Sequence, residues 1–291
     1  MQLPRLSRLS RWVVLSGLLA PLFALAQAFS FIDIDTGRKA GLFDKVPVYQ
    51  RAVMLAKPSP QSEVALLFFR GAPGIWRFND KSDFSKSSPR GRLVRDVYAA
   101  AGITFVLVDC PTDQWGAELP ANPSSIVACL DDYRSSTQHA DDVRKVMQVL
   151  RDQHGLKRFY IQGHSMGAVS SRWLAKNLGT EIEGSIHSAA STNPSNFKTA
   201  YSLNGFDYAA LAAPQLHVHH EGDACPYTPY AKVKSYAGQQ LVTVRGGLAQ
   251  GDPCGAGHLH SFEGRDQEVA QTIANWILTR QFSPVIGESI K

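Results

Sequence analysis

The sequence predicts an α/β fold: one doubly wound, mainly parallel sheet with helices on both faces. Three observations predict it. Short runs of β-branched and aromatic residues alternate with segments of helical period along the chain. Those runs are almost continuously apolar, as strands covered on both faces must be. A length of 291 residues with 44% apolar character supplies a core large enough for one such domain. After the N-terminal segment, no linker, repeat or low-complexity tract divides the chain.

Taken in order, Val46 to Leu55 and Val64 to Phe69 read as strands. Ile103 to Val108 is a third, ended by Asp109-Cys110-Pro111. Thr137 to Gln153 carries Val143, Val146, Met147 and Leu150 at helical spacing. Ser135, Ser136 and Thr137 supply its cap, Asp141 and Asp142 load its first turn with negative charge, and Gly155 stops it. Phe159 to Gln162 is a short strand followed by a helix from Ala168 to Asn177. Ile182 to His187, Leu216 to His220 and Leu241 to Val244 continue the strands. A last helix runs from about Asp266 to Thr279, with Val269, Ile273, Trp276 and Ile277 on one face.

The N-terminus is a separate module. Arg5, Arg8 and Arg11 form a basic start, the run from Trp12 to Leu25 is apolar but short, and small residues follow at Ala24, Ala26 and Ala28. That order predicts a cleavable secretory signal, residues 1–26, with cleavage after Ala26 or Ala28. One domain then occupies residues 29–291. An uncleaved anchor would need a longer apolar run, and no later segment is long and uncharged enough to span a bilayer. Cleavage removes three arginines and no acid, so the formal charge falls from +5 to +2. The remaining basic residues are scattered, which gives no basis for nucleic-acid binding. The expected compartment is the periplasm or the exterior.

Four cysteines remain: Cys110, Cys129, Cys225 and Cys254. None forms a Cys-x-x-Cys pair, so disulfides fit an exported chain better than zinc does. Pairing in chain order closes two modest loops, and other pairings stay open.

The chemistry concentrates at Gly163-His164-Ser165-Met166-Gly167, between a strand and a helix. Such a turn holds a serine in a strained conformation with its hydroxyl exposed, and the following helix points its positive end at any oxygen gaining charge. In this setting the sequence resembles the α/β-hydrolase superfamily, from about Val46 to the last helix. It is most similar to compact, exported bacterial members of the dienelactone-hydrolase-like and esterase-like kind. The resemblance implies that Ser165 is the nucleophile and that an acid and a histidine follow it in chain order.

For the acid, the loop Glu221-Gly222-Asp223-Ala224-Cys225-Pro226 after a late strand is similar to the family's pattern and points to Asp223. Glu221 competes from closer to the strand, and Asp223 could instead cap a helix beginning near Thr228. For the histidine, Gly255-Ala256-Gly257-His258-Leu259-His260-Ser261-Phe262 offers two candidates. The Gly-His pairing of lipase-like members favours His258. The His-x-Phe pattern of dienelactone-hydrolase-like and oligopeptidase-like members favours His260, which is the choice here, with His258 as the alternative. His217, His219 and His220 lie on an apolar strand, where core or supporting roles are expected, and no metal site is.

The resemblance also implies an oxyanion hole from two backbone N–H groups. One belongs to Met166. The other belongs to Ala72 in Arg70-Gly71-Ala72-Pro73-Gly74, which is similar to the family's His-Gly-x-Pro turn with arginine in place of histidine. A Cys225–Cys254 bond would tie the acid loop to the histidine loop.

The implied reaction is hydrolysis of a small carboxylic ester through an acyl-enzyme, without metal or organic cofactor. The interval from Ser191 to Pro214 is too short for a large lid, which suggests an open cleft rimmed by Trp76, Trp115 and the Phe197 to Tyr208 segment. A serine peptidase acting on short peptides would use the same machinery. A catalytically silent binding module on the same fold is the rival from another class.

Overall fold

The computed structural model describes residues 29–41, 45–55, 57–76, 89–114, 129–193 and 206–288. The predicted N-terminal signal and Trp115 lie outside the described residues, as do positions 197–205 of the predicted cleft rim.

Among the described residues, nine strands form one sheet. They are β1 (Phe29–Ala40), β2 (Val46–Leu55), β3 (Val64–Phe69), β4 (Ile103–Val108), β5 (Arg158–His164), β6 (Gly184–Ser188), β7 (Gln215–His220), β8 (Leu241–Val244) and β9 (Val285–Ile286). Their spatial order is β1-β2-β4-β3-β5-β6-β7-β8-β9. The first hairpin and its junction with β4 are antiparallel, and every pairing from β4 through β9 is parallel.

The α-helices among the described residues are α1 (Pro89–Ala100), α2 (Asp131–Arg134), α3 (Thr137–His154), α4 (Gly167–Leu178), α5 (Tyr230–Ala237) and α6 (Asp266–Thr279). Alternation along the buried strands sorts them to two faces. Val64 and Leu66 of β3 pack with Tyr98 of α1 and with Val269, Ile273 and Trp276 of α6. Ala65, Leu67 and Phe69 of the same strand pack with Val143, Val146 and Leu150 of α3 and Leu174 of α4. A continuously apolar strand thus serves two cores at once.

After β3 the chain moves to one side of that strand to make β4, then crosses to the other side to make β5. The loops leaving β3 and β5 therefore part in opposite directions. That reversal opens a crevice at the carboxyl ends of the strands, the usual ligand position in such sheets.

Some details differ from expectation. Helix α3 begins at Thr137, with the Ser136 side chain accepting from the His139 N–H, so Asp141 and Asp142 fall beyond the first turn. Asp142 is buried and is held by the Tyr133 hydroxyl and the Arg38 guanidinium, tying the first hairpin to the helical layer. Strand β6 starts at Gly184 because a single 3-10 turn, Gly179–Glu181, precedes it.

Candidate active site

The chain passes from β5 to α4 through Ser165 and Met166. Ser165 has φ 56°, in the left-handed region that side chains rarely enter. Its backbone is held on both sides: the N–H donates to the Ser188 carbonyl at 2.9 Å, and the carbonyl accepts from Ala168 at 3.0 Å and Ser191 at 3.2 Å. The flanking glycines answer to space. A Cβ on Gly163 would lie 2.1 Å from the Gly167 carbonyl oxygen, and one on Gly167 would lie 2.1 Å from that of Phe69. Both obstacles are backbone, so neither can swing aside. The turn is strained because β5, α4 and the end of β3 converge on it.

His260 reaches this serine from the loop between β8 and α6. Its Nε2 lies 3.0 Å from Ser165 Oγ, and its Nδ1 lies 2.9 Å from Asp223 Oδ2. Asp223 follows β7, and its other carboxylate oxygen accepts the Cys225 N–H at 3.0 Å. Burial opposes ionisation of this carboxyl. Hydrogen bonds from His219, His260 and the Cys225 amide outweigh it and hold the group well below the usual carboxylate range.

The structure therefore brings Ser165, His260 and Asp223 together. His258 is also buried, but its Nδ1 has no partner among the described residues, and its carbonyl serves the turn by accepting from Ser261 and Glu263. Glu221 turns away to accept from Arg245 at 2.9 Å. Helix α5 begins at Tyr230 without any side-chain cap, so Asp223 does not serve it.

On the opposite side, the loop after β3 lies against the serine. A Cβ on Gly71 would stand 2.9 Å from Ser165 Cβ and 3.4 Å from its Oγ. Ala72 follows directly and is exposed. Among the described residues, the N–H groups of Ser165, Ala168 and Val169 are paired, whereas no turn or loop acceptor takes that of Met166.

The loop is supported from behind. The Cys129 N–H donates to the Pro73 carbonyl at 2.9 Å, and Cys129 is bonded to Cys110 at the end of β4. Buried Arg134 donates to the Cys129 carbonyl at 2.9 Å and to Ser170 on α4 at 2.9 Å. Arg70, which stands where similar loops carry histidine, lays its guanidinium over the Trp76 ring at 4.3 Å. The second disulfide joins Cys225 to Cys254, linking the acid loop to the segment leading into His260.

The imidazoles of β6 and β7 are buried. Burial holds His187 well below the ordinary histidine range and lowers His217 to about 3. His220 accepts the Gly222 N–H on Nδ1 at 2.9 Å and donates from Nε2 to Gly246 at 2.6 Å, pinning the acid loop to the loop after β8. Phe206 and Tyr208, at the end of the predicted rim, turn inward against Trp173, His217 and Tyr236.

Sequence reasoning missed Thr228, whose hydroxyl donates to Asp223 Oδ2 at 2.8 Å. A threonine five positions beyond an acid, past a half-cystine and a proline, carries no recognisable pattern. Among the described residues, no group of three or more His, Cys, Asp or Glu side chains is arranged to hold a metal ion.

Fold and site together define a class: a doubly wound α/β protein presenting a serine on a strand-to-helix turn at the carboxyl edge of its sheet. The model of the alpha/beta hydrolase fold family matches residues 65–217, more than half of the chain, and the protein belongs to that family. No curated protein matches the sequence.

Solved structures share the fold at low identity. Est1E from Butyrivibrio proteoclasticus, solved with ferulic acid bound, is 14% identical with a TM-score of 0.53, covering 79% of this chain and 95% of its own. The esterase Pf2001 of Pyrococcus furiosus is 10% identical with a TM-score of 0.52, covering 88% and 94%. A dienelactone hydrolase from Anabaena variabilis is 17% identical with a TM-score of 0.52, covering 88% and 99%.

Proposed function

We propose that this protein is an exported serine hydrolase that cleaves small carboxylic esters through an acyl-enzyme. The observation that carries the reading is the continuous hydrogen-bond chain from Ser165 Oγ to His260 Nε2 at 3.0 Å and from His260 Nδ1 to Asp223 at 2.9 Å.

In this reading His260 takes the Ser165 proton as the serine oxygen attacks the ester carbonyl. Asp223 accepts the Nδ1–H, fixes the tautomer and stabilises the imidazolium. The N–H groups of Met166 and Ala72 receive the oxyanion. The imidazolium gives its proton to the departing alcohol, and a water molecule then releases the acid by the same steps. Every group required belongs to the chain.

A short connection between β6 and β7 leaves little chain for a lid and favours small, accessible acyl groups. Only residues 189–214 separate β6 from β7. An esterase and a dienelactone hydrolase among the structural neighbours support the same reaction class. The two disulfides suit an oxidising compartment, in line with a signal over residues 1–26 and a single domain over 29–291. Among the described residues, no helix is long and apolar enough to cross a membrane.

The test is a panel of p-nitrophenyl esters from acetyl to decanoyl, run beside aminoacyl p-nitroanilides. The expected result is the highest kcat/KM on short esters and negligible anilide cleavage. Preference for the anilides would make the protein a peptidase, and inertness toward both classes would leave a binding module.

A further inference from the structure

We propose that Thr228 is a positioning residue for the proposed His260–Asp223 pair, held in register by His219. Its hydroxyl fixes the His260 tautomer and supports the imidazolium formed when Ser165 loses its proton. This rests on the reading of Ser165 as the nucleophile.

Thr228 is fully buried. Its Oγ1 lies 2.8 Å from Asp223 Oδ2, 3.1 Å from His260 Nδ1 and 3.4 Å from the Cys225 carbonyl oxygen. A hydroxyl has one hydrogen to donate. The carboxylate is the nearest and most strongly charged acceptor, so that hydrogen points at Asp223. The oxygen lone pairs are then left facing His260, and the Nδ1–H is shared between Asp223 and Thr228. A proton held by two acceptors stays on Nδ1, which keeps the Nε2 lone pair directed at Ser165.

His219 explains why the threonine stands there. Its Nε2 lies 2.8 Å from the Thr228 carbonyl oxygen and 3.3 Å from Asp223 Oδ2. Both neighbours only accept, so His219 carries its proton on Nε2 and donates to each. It is fully buried on β7, and it couples the strand to the backbone of Thr228 across the loop. The Thr228 N–H closes the turn onto Cys225 at 3.1 Å. The loop from Asp223 to Thr228 is therefore fastened at both ends around one imidazole.

The sign of the effect follows from the orientation of the hydroxyl dipole. Its oxygen end is nearer His260 than its hydrogen end is, so the dipole attracts the positive charge that develops on the ring as Ser165 loses its proton. The other titratable groups around His260 are His164 on β5, with ring centroids 5.2 Å apart, Asp223 in the loop after β7, His219 and His220 behind it, and His258 on the same loop. Among the described residues, Asp223 and Thr228 are the two acceptors for the His260 Nδ1–H.

The experiment measures kcat, KM and the pH dependence of p-nitrophenyl acetate hydrolysis for wild type, Thr228→Val, Thr228→Ala, Thr228→Ser and Ser165→Ala. Valine keeps the shape of threonine and removes only the hydroxyl. We expect kcat to fall about 10- to 100-fold in Thr228→Val with KM nearly unchanged. The acid limb of the profile should move to lower pH. Thr228→Ala should behave alike and serves if the valine variant does not fold. Thr228→Ser should restore both rate and limb.

A wild-type limb and near-wild-type kcat in Thr228→Val or Thr228→Ala would overturn the proposal, as would a serine variant no better than valine. Hydrolysis that persists in Ser165→Ala would instead remove the nucleophile reading and this proposal with it. Hydrolysis that depends on Ser165 but ignores Thr228 would remove this proposal alone.

Discussion

Gly71 stands so close to Ser165 that a Cβ on it would lie 2.9 Å from the serine Cβ. The loop leaving β3 thereby forms one wall of the space in which a carbonyl would meet the serine oxygen. Gly71 is not in the left-handed region, so an alanine there is opposed by contact with the serine and not by backbone strain. Gly71→Ala should therefore fold, with a stability loss within about 1–2 kcal/mol, while kcat/KM for small esters falls about 100-fold or more. Paired urea denaturation and ester kinetics check this. Unchanged kinetics would place the reacting carbonyl elsewhere.

The Cys225–Cys254 disulfide closes a sequence separation of 29 residues and joins the two loops that carry Asp223 and His260. A cross-link of that span restrains the unfolded chain by about 3–4 kcal/mol. The double variant Cys225→Ser/Cys254→Ser should lose stability of that order in urea, and its kcat should drop because both loops gain freedom. A loss below about 1 kcal/mol with unchanged kcat would show that the hydrogen bonds alone hold the pair.

His139 is fully buried between Phe69 and Tyr133, and neither ring nitrogen has a hydrogen-bond partner among the described residues. Burial, reinforced by the Arg134 charge, lowers it to about 3. The unfolded state then takes up a proton below about pH 6.5 that the folded state refuses. Stability accordingly falls with falling pH across that window, by about 2 kcal/mol at pH 5 from this group alone. His217, also lowered to about 3, acts in the same direction. His139→Phe should lose less stability than wild type between pH 7.5 and pH 5.0 in urea titrations. Equal losses would contradict the assignment.

Much of this arrangement was legible in the sequence because the buried strands announce themselves. Val64–Phe69 is an uninterrupted apolar run, Ile103–Val108 and Leu241–Val244 are each broken by a single β-branched threonine, and the ends of all three coincide with expectation. Strand β1 was missed because it is an edge strand in which Asp33 and Asp35 alternate with Ile34 and Thr36, and it follows directly on the segment read as a signal. Helix α1 was missed because it opens on Pro89-Arg90-Gly91-Arg92, which reads as loop. Ser165 was marked by glycines that the packing requires on both sides. Asp223 and the pair His258 and His260 were legible as candidates from family resemblance. Their relative reach depends on how the loop between β8 and α6 folds back over β7, which no local pattern encodes. Thr228 and His219 bear on the site only through that same tertiary approach.

The central claim is that Ser165 is activated by His260, and fluorophosphonate labelling of wild type, Ser165→Ala, His260→Ala and His258→Ala tests it most directly. The account predicts rapid labelling of wild type, none of Ser165→Ala, a labelling rate about a thousand-fold or more lower in His260→Ala, and near-wild-type labelling of His258→Ala. Labelling that survives in Ser165→Ala, or a loss confined to His258→Ala, would contradict it.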